Sequence, residues 1–78
     1  MLQKRLLTEN DLASLAKRFR KRAGKSRAKA GRDLDVSHVS IHRAEEKPEE
    51  SLTKLRIRMI EKYSSLKVVG PVFYVTGK

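Results

Sequence analysis

Cysteine is absent from this sequence, acidic residues are scarce beside basic ones, and no long apolar run occurs. Without cysteine there is no disulfide and no thiolate metal site, so stability has to come from an apolar core or from a partner subunit, and a reducing compartment suits the chain. The longest apolar stretch, Val68 to Val75, is broken by Gly70 and Pro71 and falls far short of the roughly 20 residues that span a bilayer. The N-terminal residues carry no signal-peptide core. A soluble, cytoplasmic protein with no membrane partner is expected. A catalytic constellation is missing too: no serine stands in a recognisable arrangement with His and Asp, and the paired carboxylates fall in a polar segment. Neither an enzyme nor a cofactor is expected.

What the chain does have is positive charge. Nineteen Lys and Arg face nine Asp and Glu in 78 residues, a formal charge of +10. A chain this short forms one domain at most, with a core of about a dozen side chains and little left to line a deep cleft. Size and charge together point to a binding module with a polyanionic partner. The charge is uneven: residues 1 to 32 hold eleven basic and two acidic side chains, residues 33 to 51 two and six, and residues 52 to 78 six and one. An acidic segment therefore interrupts a basic protein.

Thr8 followed by Asp11 reads as a helix N-cap, and Leu12, Leu15, Ala16, Phe19 and Ala23 recur at helical spacing up to Gly24, a natural stop. Its other face carries Lys17, Arg18, Arg20, Lys21 and Arg22, either a solvated surface or a phosphate-attracting one. Ser26 caps a second short helix with Ala30 and Leu34 on one face, ending around Asp35. Ser37 then caps a third, His38 to Ala44, with Ile41 and Ala44 inward. Residues Glu45 to Glu50, with Pro48 among them, read as a polar loop. After it Ser51 caps a fourth helix bearing Leu52, Leu55, Met59, Ile60 and Tyr63. Beyond Ser65 the composition favours one or two strands, split by Gly70 and Pro71. The predicted architecture is mainly α, with a unit over residues 1–65 and a strand segment over 66–78.

The run from Ser26 through Ala30, Gly31, Leu34, Asp35, Val36, Ile41 and Ala44 to Glu45 resembles the helix-turn-helix of the phage repressor and Cro family. In that pattern a small residue at Gly31 lets two helices approach, Asp35 stands at a turn position needing positive φ, and Val36, Ile41 and Ala44 seat the next helix. Asp35 replaces the usual Gly, Arg27 a common Gln, and Ala44 a larger apolar residue. With the helices on either side, the resemblance covers roughly residues 12 to 60. It implies a four-helix lambda-repressor-like domain with a short C-terminal strand or hairpin, acting as a DNA-binding transcriptional regulator and commonly a repressor.

On that reading the third helix enters the major groove, and with Ile41 and Ala44 inward, His38, Val39, Ser40, His42 and Arg43 are the base-contacting candidates, Arg43 and His38 first. Lys25, Ser26, Arg27, Ser37 and Lys47 are the phosphate-contacting candidates, as flexible cations or capped helix starts. Glu45, Glu46, Glu49 and Glu50 repel DNA, and face away from it or pair with basic surface of another subunit or of the first helix. Val68, Val72, Phe73, Tyr74 and Val75 are the dimerisation candidates, through a strand edge; a hairpin folded back on its own core is the alternative. His38 and His42 also have a zinc-compatible spacing, but no third ligand is fixed nearby and no metal is expected. Rival functions are an antitoxin-like regulator that also grips a protein partner, and a nonspecific DNA- or RNA-binding protein that stacks bases on Tyr63, Phe73 and Tyr74.

Overall fold

Thr8 starts the first helix as its sequence demands: its backbone N–H donates to Asp11 Oδ2 at 2.9 Å, and its hydroxyl accepts from the Asp11 N–H at 3.2 Å. The computed structural model describes residues 6–70 and 73–77, and of Tyr74 only the backbone. Four helices follow one another among these residues: α1 (Glu9–Arg22), α2 (Arg27–Leu34), α3 (His38–Glu46) and α4 (Thr53–Lys62). Two strands, β1 (Leu66–Val69) and β2 (Tyr74–Gly77), complete them. The protein is thus mainly helical with one small antiparallel hairpin.

The side chains that the helical spacing turns inward meet in one core. Leu12, Ala16 and Phe19 of α1, Ala30 and Leu34 of α2, Ile41 and Ala44 of α3, and Leu55, Met59 and Ile60 of α4 are buried together with Val68 of β1. Truncating a fully buried member such as Ile41 costs about 2–5 kcal/mol. Ala13 joins the buried set, Leu15 is only half-buried, and Ala23 is not inward at all. Ala23 is the exposed C-cap of α1, where Gly24 turns left-handed at φ 72° and ends the helix.

The start of α4 also departs from expectation. Ser51 does not cap it: Leu52 holds the N-cap position, and no side chain bonds there. The turn before the helix is held instead by the buried guanidinium of Arg56, which donates to the carbonyls of Ala44, Lys47 and Glu50 at 2.8, 2.7 and 3.0 Å and to Glu9 Oε1 at 2.7 Å. One cation thereby satisfies the end of α3 and the turn that leads into α4.

The hairpin pairs Leu66 with Gly77 and Val68 with Val75. Its alternating pattern sends Val68 into the core, while Leu66, Phe73 and Val75 pack at its margin. The Val68 N–H donates to Glu61 Oε2 at 3.0 Å, and the Leu7 N–H to the Phe73 carbonyl at 2.6 Å. The hairpin therefore folds back on the chain's own core.

Candidate nucleic-acid interface

Helices α2 and α3 meet across three residues, Asp35, Val36 and Ser37. Asp35 is left-handed, φ 57° and ψ 46°, the one non-glycine residue with positive φ among those described. Its short polar side chain tolerates that conformation better than a branched one does. The Val36 N–H then returns to the Gly31 carbonyl at 2.8 Å. Gly31 has no space for a side chain: a Cβ there would lie 2.7 Å from the Val36 carbonyl oxygen and 3.2 Å from the His38 nitrogen. The two helices touch backbone to backbone.

Ser37 caps α3 by accepting from the Ser40 N–H at 3.1 Å, and the two hydroxyls lie 3.0 Å apart. Ile41 and Ala44 are fully buried, which orients the helix. His38, His42 and Arg43 face solvent, and Val39 is 52% exposed, one of two large apolar side chains left so among the described residues. Ser40 lies half-buried beside Val36 and Leu52, its hydroxyl engaged with Ser37.

The acidic segment is not the expected loop at its beginning. Helix α3 runs on through Glu45 and Glu46, and Glu45 is 5% exposed. Arg20 of α1, itself 7% exposed, grips Glu45 with two nitrogens: Nε donates to Oε2 at 2.5 Å and Nη2 to Oε1 at 3.0 Å. Its third nitrogen, Nη1, donates to the Lys25 carbonyl at 2.7 Å. Arg27 bridges both carboxylates, Nε to Glu45 at 3.1 Å and Nη2 to Glu46 at 2.9 Å, and Lys17 reaches Glu46 at 2.6 Å. The Lys17 hydrogen bond holds the Glu46 carboxyl below its ordinary pKa. Glu45 and Glu46 thus pair with the first helix, joined by Arg27 of α2, whereas Glu50 pairs with Arg43 of α3. A planar fork bound to a buried carboxylate is what keeps two charges inside so small a protein.

At the opposite end of the acidic segment, Arg43 donates from Nε to Glu50 Oε1 at 2.7 Å and from Nη2 to the same oxygen. This bond lowers the Glu50 carboxyl pKa and raises that of Arg43. On α2, Asp33 accepts from Tyr63 at 2.8 Å and pairs with Lys29 at 2.7 Å, and both bonds lower its pKa, Lys29 first. Burial and the Asp33 carboxylate push the Tyr63 phenol up to about 12.

The structure thus leaves the base-contact candidates clustered on the outer side of α3, with Arg43 paired and Ser40 partly withdrawn. Among the phosphate candidates, Ser26 and Ser37 cap their helices, Lys25 and Lys47 make no ion pair among the described residues, and Arg27 is committed to Glu45 and Glu46. Of the dimerisation candidates, Val68 is spent in the core, Phe73 and Val75 are half-buried, and Val72 and the Tyr74 side chain lie outside the described residues. Arg20, Glu45 as an inward residue, Arg56 and the Tyr63–Asp33 bond escape the sequence reading. Arg56 left a signal, because it stands between Leu52 and Ile60 at four-residue spacing, on the apolar stripe itself.

Among the described residues no group of three metal-ligating side chains gathers, and no helix is long and apolar enough to cross a membrane. No family model, curated protein or solved structure matches the chain.

Proposed function

We propose that this chain is a sequence-specific, double-stranded DNA-binding regulator of the lambda-repressor-like helix-turn-helix type, binding as a homodimer with α3 in the major groove. One observation carries the reading. Helix α3 is fixed from behind by Ile41, Ala44 and Glu45, while His38, Val39, His42 and Arg43 stand together on its outer side. A nine-residue helix is about 13–14 Å long, commensurate with a groove about 12 Å wide. Arg43 and His38 supply hydrogen bonds to base edges, and Val39 supplies apolar contact for a thymine methyl. Ser26 and Ser37 present capped helix starts to the phosphates, and Lys25 and Lys47 add charge. The outer edge of β2, unpaired with any strand among the described residues, receives the second copy. Repression is the outcome implied by the resemblance of residues 26 to 45.

Selection from a random duplex library at near-physiological salt tests this, run with the wild type and with Arg43→Ala. The wild type should enrich a palindromic site, and the variant should relax one position in each half-site at a cost of about 1–3 kcal/mol. Binding that appears only at low salt, with no enriched site, would sink the proposal in favour of nonspecific nucleic-acid binding.

A further inference from the structure

Arg43 is the principal reader in the proposed function, and Glu50 already occupies it. Two of its nitrogens, Nε and Nη2, donate to one carboxylate oxygen, while Nη1 makes no bond among the described residues. The carboxylate is not on a loose tether. The Glu50 N–H donates to the Lys47 carbonyl at 3.0 Å, and the Glu50 carbonyl accepts from Arg56 Nη1, also at 3.0 Å. The same fully buried guanidinium holds the carbonyls of Ala44 and Lys47. Glu50 is therefore rooted in the cation that terminates α3, at a fixed place relative to Arg43 seven residues earlier.

We infer that Glu50 is a positioning residue that sets the specificity of α3, holding Arg43 over the outer face of the helix and withholding it from DNA phosphates. The inference rests on α3 being the reading element. Trading the Glu50 carboxylate for one phosphate exchanges one anion for another and leaves Glu50 uncompensated in the negative field of the duplex, so nonspecific DNA gains little from Arg43. A guanine edge is a different offer. It presents two acceptors, O6 and N7, in the plane of the guanidinium, and meets Nη1 and Nη2 while Nε stays on Glu50. The pair thus favours a base contact over a backbone contact, and does so through geometry and not through added affinity.

The test measures binding to the selected site and to an unrelated duplex across a salt series for the wild type, Glu50→Gln, Glu50→Asp and Glu49→Gln. Glu49 makes no ion pair among the described residues, so its substitution reports the through-space effect of one charge. Glu50→Gln should bind the unrelated duplex up to about fivefold more tightly than Glu49→Gln does, the size of one exposed ion pair. Its salt slope on that duplex should steepen by about 0.9, one further phosphate contact. The selected site should gain less, so the specificity ratio falls. Glu50→Asp, too short to reach Arg43, should behave like Glu50→Gln. In an Arg43→Ala background, Glu50→Gln and Glu49→Gln should become indistinguishable. Equal effects of Glu50→Gln and Glu49→Gln, or a Glu50 effect that survives loss of Arg43, overturn the inference while the reading role of α3 stands. A wild type that fails to discriminate the two duplexes overturns both.

Discussion

Arg20 meets Glu45 with both side chains under a tenth exposed, whereas Arg43 meets Glu50 with the arginine side chain 49% in solvent. The two pairs join the same chemical groups, and each has one member on α3. At the first, desolvation makes each charge dependent on the other, because an unpaired ion there has no water to replace its partner. At the second, water and salt screen the charges, so the bond stabilises the fold little and leaves Nη1 of Arg43 open to a base. The same chemistry fixes a helix on one side and leaves it negotiable on the other.

Breaking the buried pair should have the largest effect. Glu45→Ala leaves Arg20 buried and uncompensated and should cost about 3–5 kcal/mol in urea unfolding, a large part of the roughly 4–12 kcal/mol that a domain of this length has. Replacing both partners, Arg20→Met with Glu45→Leu, should restore most of that loss. If Glu45→Ala costs under about 1 kcal/mol, the contrast between the two pairs fails.

Arg56 sharpens the contrast, since its partners are carbonyls and only one carboxylate. Arg56→Met should cost about 2–3 kcal/mol, less than Glu45→Ala because no buried charge is left behind. Amide exchange at the end of α3 should speed up in this variant.

The half-buried Tyr63–Asp33 pair falls between the extremes. The folded phenol, at about 12, lies above the ordinary value of 10.0, so the neutral form is favoured by folding. Its contribution to stability is fully present below pH 10 and is lost as pH rises through about 12. Absorbance titration of the phenolate in a Tyr74→Phe background should show the raised midpoint. Asp33→Asn should bring it only part of the way back, because burial is the larger cause. A midpoint at the ordinary tyrosine value would remove the intermediate case.

The smallest effect belongs to the carboxylates outside the core. Asp33, Glu46 and Glu50 have lowered folded pKa values, so what they contribute is present above the ordinary carboxylate range and is lost as pH falls through their folded values. Carboxyl-carbon NMR titration should show all three displaced downward. Lys17→Ala should return Glu46 toward normal with no resolvable change in stability.

The elements were legible wherever one short-range rule decided them. Thr8, Ser26 and Ser37 each cap the helix that begins next to them, Gly24 ends α1, and the turn between α2 and α3 has the left-handed residue at Asp35. What was hidden depends on partners distant along the chain. Glu45 reads as loop because a charged run near Pro48 has no local reason to be helical or buried, and its reason is Arg20, twenty-five residues earlier. Ser51 looks like a cap, but the turn that Arg56 fixes through the carbonyls of Lys47 and Glu50 puts Leu52 at the N-cap position instead. Hydropathy spacing also assigns every cation to water, which conceals Arg56 on the stripe it shares with Leu52 and Ile60. For the candidate site, the exposure of His38, Val39, His42 and Arg43 followed from the positions of Ile41 and Ala44, while the half-burial of Ser40 and the engagement of Arg27 and Arg43 by acids did not.

The close approach at Gly31 bears on how freely this surface can change. Because that contact is made by backbone atoms of Val36 and His38, it is blind to the side chains that α3 presents outward. Positions 38, 39, 42 and 43 can be rewritten without disturbing what seats the helix, so the framework and its message are separable. A lineage, or a combinatorial library, can explore new recognition at those four positions at little risk to folding, whereas a single methyl at position 31 closes the route.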